Sequence, residues 1–580
     1  MNPDTTVEGG LAEPTELEPE QGSLDLADSE DRATVADWEA ATAAVLRKSR
    51  RLTDEDPDSS VWDKLTRTTL DGIGITPLGT PQLLDALSTA GRPSRAGAWD
   101  VRAHLGAGPD RSRNEAALVD LDGGVTSLWV QVDADTDLGV LLDGVLLDLA
   151  GVVLDAAEPV AAARAFLSLA GETTLAAGTN LGVSAAAAEA DLVEVATLAR
   201  DAGLLGVVVD ATAVHDQGAS DVQELAQSLV LGVRALRVLT AAGLGVDEAA
   251  GLLEFRYAVT DEQFPSIAKL RAARRLWARV LELSGAETSA QRQHVVTSRP
   301  MMSRYDPYVN MLRTTVAAFA AGVGGADAVT VLPFDAPLGR PEAFGRRIAR
   351  NTSHLLIEES HVAAVADPAG GAYAVEKLTD DLALAAWELF GRLEDGASLE
   401  ELIAETVARR EAEVARRKRP ITGVSEFPNL AEELPQREAD GGFDGVRSYG
   451  ASFEALRDEP AARPVFLATL GTVASHTARA TFASNLFAAG GIAVEVAGPT
   501  VDAEALAAAY TASSGSPVVC LAGSDATYAE WAPAAVEALR AAGATRVLIA
   551  GKPIDGLTDD SCAVGVDALA FLTRTREALA

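Results

Sequence analysis

Between about residue 60 and residue 400, short apolar runs alternate with longer stretches whose apolar residues recur every three or four positions. The short runs predict strands at 98–104, 127–132, 144–149, 179–183, 206–211, 254–259, 294–298 and 328–334. The longer stretches predict helices such as 186–202, 219–240, 266–283 and 379–391. Eight strands alternating with helices predict a TIM (β/α)8 barrel, with bounds of 61–400. The alternation resumes with strands at Val465–Thr469, Ile492–Val496, Pro517–Leu521, Arg546–Ala550 and Val564–Leu572. Five short strands with alanine-rich helices between them predict a flavodoxin-like doubly wound domain over 465–580. The fold class is thus α/β, a barrel followed by an open parallel sheet.

The most informative stretch runs from Arg304 to Leu382. Tyr308, Met311, Leu312, Val316, Phe319 and Ala320 fall at helical spacing, which predicts a helix buried along that face. Gly322, Gly324 and Gly325 end it, and the apolar run Ala328–Phe334 reads as a strand buried on both faces. That strand stops at Asp335, placing a carboxylate where parallel α/β folds hold their chemistry. Arg346, Arg347 and Arg350 gather around Asn351 on the next helix.

The flanks carry different patterns. Residues 1–31 hold ten acidic side chains and no basic one, so 1–33 reads as an acidic tail with too little apolar surface to fold. Residues 34–60 form a helical arm, in which Val35, Trp38, Ala41, Val45 and Leu46 share a face. Trp38 needs a surface to pack on, either the chain's own barrel or a partner subunit. Residues 401–464 comprise a charged helix, opened by Ser398 with Glu401 three residues on, and a polar linker.

Composition narrows the function. A net charge of −37 opposes nonspecific binding to nucleic acid or anionic membrane, both polyanions. Two cysteines, Cys520 and Cys562, fit a reducing cytoplasm and exclude a disulfide scaffold. No signal-peptide pattern opens the chain, and no window suits a membrane helix. The motifs G-x-S-x-G, G-x-x-x-x-G-K-[ST] and H-E-x-x-H are all missing, and six scattered histidines make a metal site improbable.

The runs DPYVNMLRTT, RRIARNTSHLLIEES, VADPAGGAYAVEKLTDDLALAAWELF and ITGVSEFPN resemble the acyl-CoA mutases that use adenosylcobalamin, with the methylmalonyl-CoA mutases the closest match. The likeness covers roughly residues 60–580 and is strongest over 254–430. It implies a barrel that holds an acyl-CoA and a C-terminal domain that holds the cofactor. It also implies an imidazole on cobalt, a carboxylate orienting that imidazole, and a barrel that shields radicals from water.

Matched to that family, the site residues of this chain depart from pattern. The cobalt loop, Asp-x-His-x-x-Gly in active members, corresponds to Gly471–Arg479, where His476 remains but Ala474 replaces the carboxylate and Arg479 the glycine. Without the carboxylate nothing fixes the ring's tautomer, and His476 is expected to cap the helix start. The Ser-x-Leu signature reads Val519-Cys520-Leu521, and the Gly-Gly after the fourth strand reads Gly551-Lys552. The substrate-clamping segment corresponds to Thr68–Gly79, which has neither tyrosine nor arginine with which to grip an anion. In the run Gln293–Ser298, Val296 stands for the substrate-facing glutamine, and His294 is expected to be structural. His215 matches the histidine that hydrogen-bonds the thioester carbonyl; the alternative is a loop histidine held by Asp210 or Asp216.

The resemblance therefore implies a non-catalytic small subunit of a heterodimer, with no catalytic residue of its own beyond the relic candidate His215. It implies no cofactor-binding residue beyond the relic candidate His476. Adenosylcobalamin would be held by the large catalytic subunit, the partner, which interconverts methylmalonyl-CoA and succinyl-CoA. The alternatives are an independently active cobalamin-dependent mutase and a stand-alone TIM-barrel binding protein.

Overall fold

A computed structural model describes residues 32–84, 87, 92–93 and 95–580. The tail expected over 1–33 lies almost wholly outside them. The chain divides into two compact units, residues 1–67 with 74–78, and residues 68–73 with 79–580.

The described part of the first unit has its own small core. Helix α1 (Val35–Lys48) starts at a reciprocal capping box between Thr34 and Asp37. Ala43 and Leu46 of α1 pack with Leu52 and with Val61 of helix α2 (Val61–Leu65). Trp38 finds its surface here: its ring lies 4.7 Å from that of Trp62, whose indole N–H donates to Glu39. The partner of Trp38 is thus local, which an apolar stripe on one helix could not reveal.

In the second unit eight parallel strands close into a barrel in chain order. They are β1 (Asp100–Leu105), β2 (Ser127–Val132), β3 (Gly151–Ala156), β4 (Asn180–Ser184), β5 (Leu205–Asp210), β6 (Leu253–Val259), β7 (Arg292–Thr297) and β8 (Ala328–Thr330). The helices that cover it are α3 (Asp110–Asp122), α4 (Pro159–Ala170), α5 (Glu189–Ala202), α6 (Asp221–Ala241), α7 (Gln263–Leu283), α8 (Val309–Val323), α9 (Ala343–His354) and α10 (Tyr373–Glu394). Outward residues of the strands meet these helices closely. A Cβ on Gly232 of α6 would stand 2.8 Å from the Trp277 ring, so only glycine lets α6 approach Phe255 and Trp277.

Helix α11 (Leu399–Ala415) and α12 (Ala451–Asp458) lead to the second sheet, β9 (Val465–Thr469), β10 (Val494–Val496), β11 (Val518–Ala522), β12 (Arg546–Ala550) and β13 (Asp560–Cys562). Its spatial order is β10-β9-β11-β12-β13, all parallel, the flavodoxin-like winding. Helices α13 (Val473–Ala489), α14 (Ala503–Thr511), α15 (Asp525–Ala541) and α16 (Ala568–Leu579) cover its faces. The α/β architecture, a TIM barrel followed by a flavodoxin-like sheet, is the one the sequence pattern predicts.

Three local expectations fail. The third strand is 151–156 and not 144–149: in the single apolar run GVLLDLAGVVLDA, the β-branched valines at 152 and 153 take the strand and the leucines form turns. The last strand is the polar Asp560–Cys562, while 564–572 leads into α16, whose buried Ala568, Phe571, Leu572, Thr575 and Leu579 keep a helical period. Helix α8 forms where expected but turns its other face inward. Tyr308 and Leu312 are 65% and 68% exposed, and the buried side holds Asn310, Arg313, Thr314 and alanines. Asn310 donates to the carbonyls of Ser303 and Phe334, and Arg313 to the carbonyl of Thr422. These polar anchors to three loops set the helix's rotation.

Candidate functional site

The barrel axis is where the strands' inward residues converge, and here they are large and charged. On β1, Asp100, Arg102 and His104 point inward. Arg102 donates to Glu254 on β6 (2.9 Å), to Asp100 (2.9 Å) and to Ser127 (2.9 Å), and the Arg102 and Glu254 side chains have no exposed surface. Glu254 also takes Arg292 of β7 at 3.2 Å. Burial pushes the Glu254 carboxyl up, but Arg102 and Arg292 outweigh it and hold it below its ordinary value.

A second tier is built around Trp129 of β2. The Arg256 guanidinium lies 3.9 Å from its ring centre, the His104 ring 4.2 Å, and the His294 ring 5.5 Å edge-on. Arg256 also donates to Asp210 (2.8 Å) and, through Nε, to His294 Nδ1 (3.1 Å). His294 Nε2 pairs with the Thr330 hydroxyl at 2.8 Å. Accepting at Nδ1 leaves the proton on Nε2, and burial with the positive Arg102 and Arg256 keeps the ring neutral by lowering its pKa well below the ordinary range. His294 is part of the barrel's filling, with Val296 buried beside it.

His215 sits on the short helix Thr212–Asp216 after β5. Its partners are not Asp210 or Asp216, which are held by Thr212 and Arg256 and by Arg299. Nε2 lies 2.7 Å from the Ser298 hydroxyl, and Nδ1 3.3 Å from Glu224 Oε2. Glu224 is shared with Lys269 (2.7 Å) and accepts the Ala258 N–H at 2.7 Å. Burial pushes the Glu224 carboxyl up, but Lys269 and His215 hold it below its usual value. Hydroxyl, imidazole and carboxylate stand in the order of a nucleophile, a base and its orienter. Ser298 is 1% exposed.

The Thr68–Ile73 part of the expected clamp segment leans on the same region through Asp71. Its carboxylate accepts from the Ser220 hydroxyl, the cap of α6. Burial pushes the Asp71 carboxyl up to about 6, with neighbouring Asp221 adding to the shift. Asp335 accepts the Glu342 N–H at the start of α9 and pairs with Arg437, while its Oδ1 is buried without a partner among the described residues.

At the carboxyl edge of the second sheet, Tyr528 of α15 reaches between β11 and β12. Its hydroxyl stands 2.8 Å from the Ala550 carbonyl and 3.1 Å from that of Leu521, and accepts the Gly523 N–H at 3.0 Å. Burial pushes the phenol up to about 12, so it stays neutral. Arg479 of α13 lies over this ring at 4.9 Å and donates to the Gly523 carbonyl and Asp525. A Cβ on Gly551 would come within 3.3 Å of the guanidinium. His476 does not cap α13: Thr472 occupies the cap position, while His476 is buried a turn further in with Nδ1 unpartnered. Ala474 leaves no carboxylate to receive it.

Against known proteins, a family model described as methylmalonyl-CoA mutase matches residues 197–485. The chain is 47% identical to a methylmalonyl-CoA mutase small subunit of Streptomyces virginiae, over 96% of this chain and 98% of the relative. It is 40% identical to a probable methylmalonyl-CoA mutase small subunit of Mycobacterium bovis, over 89% of this chain and 92% of the relative. A methylmalonyl-CoA mutase small subunit of Propionibacterium freudenreichii subsp. shermanii is 35% identical over 96% of both chains. The chain belongs to the methylmalonyl-CoA mutase family.

Within this mutase family the informative residues of the chain include several that the sequence did not single out. Arg102, Trp129, Glu254 and Arg256 pack inside the barrel, and Tyr528 packs at the carboxyl edge of the second sheet. One signal was available: Asp100, Arg102, His104 and Trp129, Gln131 alternate polar with apolar along β1 and β2, so the inward face is the polar one. Strands buried on both faces more often read as continuous apolar runs.

Proposed function

We propose that this chain is the non-catalytic small subunit of a heterodimeric methylmalonyl-CoA mutase. A larger homologous chain would hold adenosylcobalamin and carry out the radical interconversion of methylmalonyl-CoA and succinyl-CoA. The observation that carries the reading is the barrel axis, filled by the buried Arg102–Glu254 pair and by Trp129 under Arg256. A substrate threading that axis would have to break a charge pair with no solvent around it.

The cofactor site of the family does not fit the residues present. His476 lacks an orienting carboxylate, and Tyr528 with Arg479 takes up the crevice at the carboxyl edge where such a sheet binds ligands. Support for a partner comes from α8, whose Tyr308 and Leu312 are exposed next to the Phe334–Phe344 pair. Contiguous apolar surface of this kind marks protein contacts. The relatives' description as small subunits points the same way. The domain reading that accompanies this role is a helical arm at 34–60, a barrel at 61–400, a linker at 401–464 and a degenerate cobalamin-type domain at 465–580. The place of work is the cytoplasm; among the described residues no helix is long and apolar enough to cross a membrane.

The test is co-expression with the large homologous chain. The expected result is a one-to-one complex on size exclusion, with one cobalamin per pair and none on this chain alone. Leu312→Asp should weaken assembly about tenfold or more. A stable cobalamin spectrum from the isolated chain would overturn the reading.

A further inference from the structure

A cavity of about 140 Å³ lies between β1, α3 and α9, roofed by the linker near Asp440 and Phe443; its lining residue Arg299 follows Ser298, the partner of His215. In a chain with a net charge of −37, its lining contains Arg102, Arg113, Arg299, Arg340, Arg346 and Arg350 against only Asp120 and Asp440. Several of these are paired, although Nε of Arg113, Arg346 and Arg350 has no partner among the described residues. Arg102 spends its donors on Ser127, Glu254 and Asp100, and Asp120 takes both Arg346 and Arg350.

Other donors remain. Arg299 uses one nitrogen on Asp216, and Arg340 one on the exposed Glu438, which leaves the rest of each fork without a partner among the described residues. The His104 ring, tilted against Trp129, has no hydrogen-bond partner among the described residues and lines the same cavity. Burial together with Arg299, Arg256, Arg346 and Arg113 lowers its pKa well below the ordinary value, the sign of a positive potential at the site. His104, Arg299 and Arg340 all follow or end strands at their carboxyl ends, so the free donors gather at one end. Toward the other end the walls are Val101, Val125, Val329 and Ala349.

We propose that this cavity binds a short-chain aliphatic monocarboxylate, its carboxylate on Arg299, Arg340 and His104 and its alkyl body along β1. One cationic end suits one carboxylate, and guanidinium forks match its two oxygens. Apolar walls with a few convergent polar groups are the usual build of a small-ligand site. The size suits a body of roughly four carbons, since cavities near 150 Å³ take benzene. The proposal does not depend on the subunit reading, because the cavity is made by this chain alone.

The experiment titrates butyrate into the full chain by calorimetry, with butyramide and inorganic phosphate as parallel probes. A six-atom ligand binds at best at roughly micromolar to millimolar strength. Saturable binding of butyrate, at least about tenfold tighter than either control, is expected. Arg340→Gln, whose only charged partner is exposed, should weaken butyrate about tenfold with thermal unfolding unchanged. Ala116→Leu, which fills the cavity from the partly exposed side of α3, should abolish it. Absence of saturation to about 20 mM, equal binding of butyramide or of phosphate, or full affinity in Arg340→Gln or in a folded Ala116→Leu would each overturn the proposal.

Discussion

The barrel interior and the carboxyl edge of the second sheet both hold large polar side chains, packed by different means. The barrel uses charge: Arg102, Glu254, Asp100, Arg292, Arg256 and Asp210 form linked pairs around Trp129. The sheet edge uses one neutral phenol, Tyr528, bonded to backbone and covered by Arg479. The difference is energetic. A buried charge stripped of its partner keeps its full desolvation cost, whereas a phenol that loses its hydroxyl leaves only neutral backbone groups short of one hydrogen bond, beside the partly exposed Arg479 guanidinium. The barrel is therefore committed to its filling as a set, while the sheet edge holds its filling residue by residue.

That contrast can be broken most directly at Glu254. Glu254→Ala should destabilise the barrel by about 3–5 kcal/mol, because Arg102 stays buried and charged without its main partner. Denaturant unfolding followed by tryptophan fluorescence measures it, and a loss under about 1 kcal/mol would mean the pair is no more demanding than a surface contact.

Asp71 sharpens the comparison from the opposite side, as a half-buried carboxylate held by a hydroxyl and a backbone N–H, where the pull of Arg409 does not offset burial. Its folded pKa of about 6 stands above the ordinary 3.8, so the native state holds the proton more tightly than the unfolded chain. This contribution to stability is fully present below about pH 4, falls as pH rises through 6 and is flat above. Asp71→Asn should remove that slope and raise stability at pH 8 by up to about 3 kcal/mol, with no gain at pH 4. Parallel melts at the two pH values check both the sign and the window.

At the sheet edge, Tyr528→Phe should cost only about 1–2 kcal/mol, and the variant should fold normally. A loss as large as that at Glu254 would erase the distinction between the two fillings. The smallest effects are expected at the two histidines. With the large chain present, His215→Ala and His476→Ala should leave turnover within about twofold, whereas a working acid–base group is worth about 10²–10⁴. A loss beyond tenfold from His215→Ala, with assembly intact, would mean a second working barrel.

Much of this was legible along the chain. Strand and helix order, the barrel and the 2-1-3-4-5 winding follow from periodicity, since side-chain direction is fixed locally by backbone geometry. The residues at the cofactor loop, Ala474, His476 and Arg479, were legible as well, because they stand at fixed spacing from one another. What the sequence could not supply were contacts between residues far apart in number. Arg102 and Glu254 are 152 positions apart, and His215 and Ser298 are 83. The same limit explains the local errors: α8 turned its polar face inward because Thr422, 109 residues from Arg313, accepts that residue's guanidinium. Local pattern determined which residues could face a core. Only closure of the barrel decided which charges met inside it, because a buried charge is tolerable only where distant strands bring its partner within hydrogen-bonding reach.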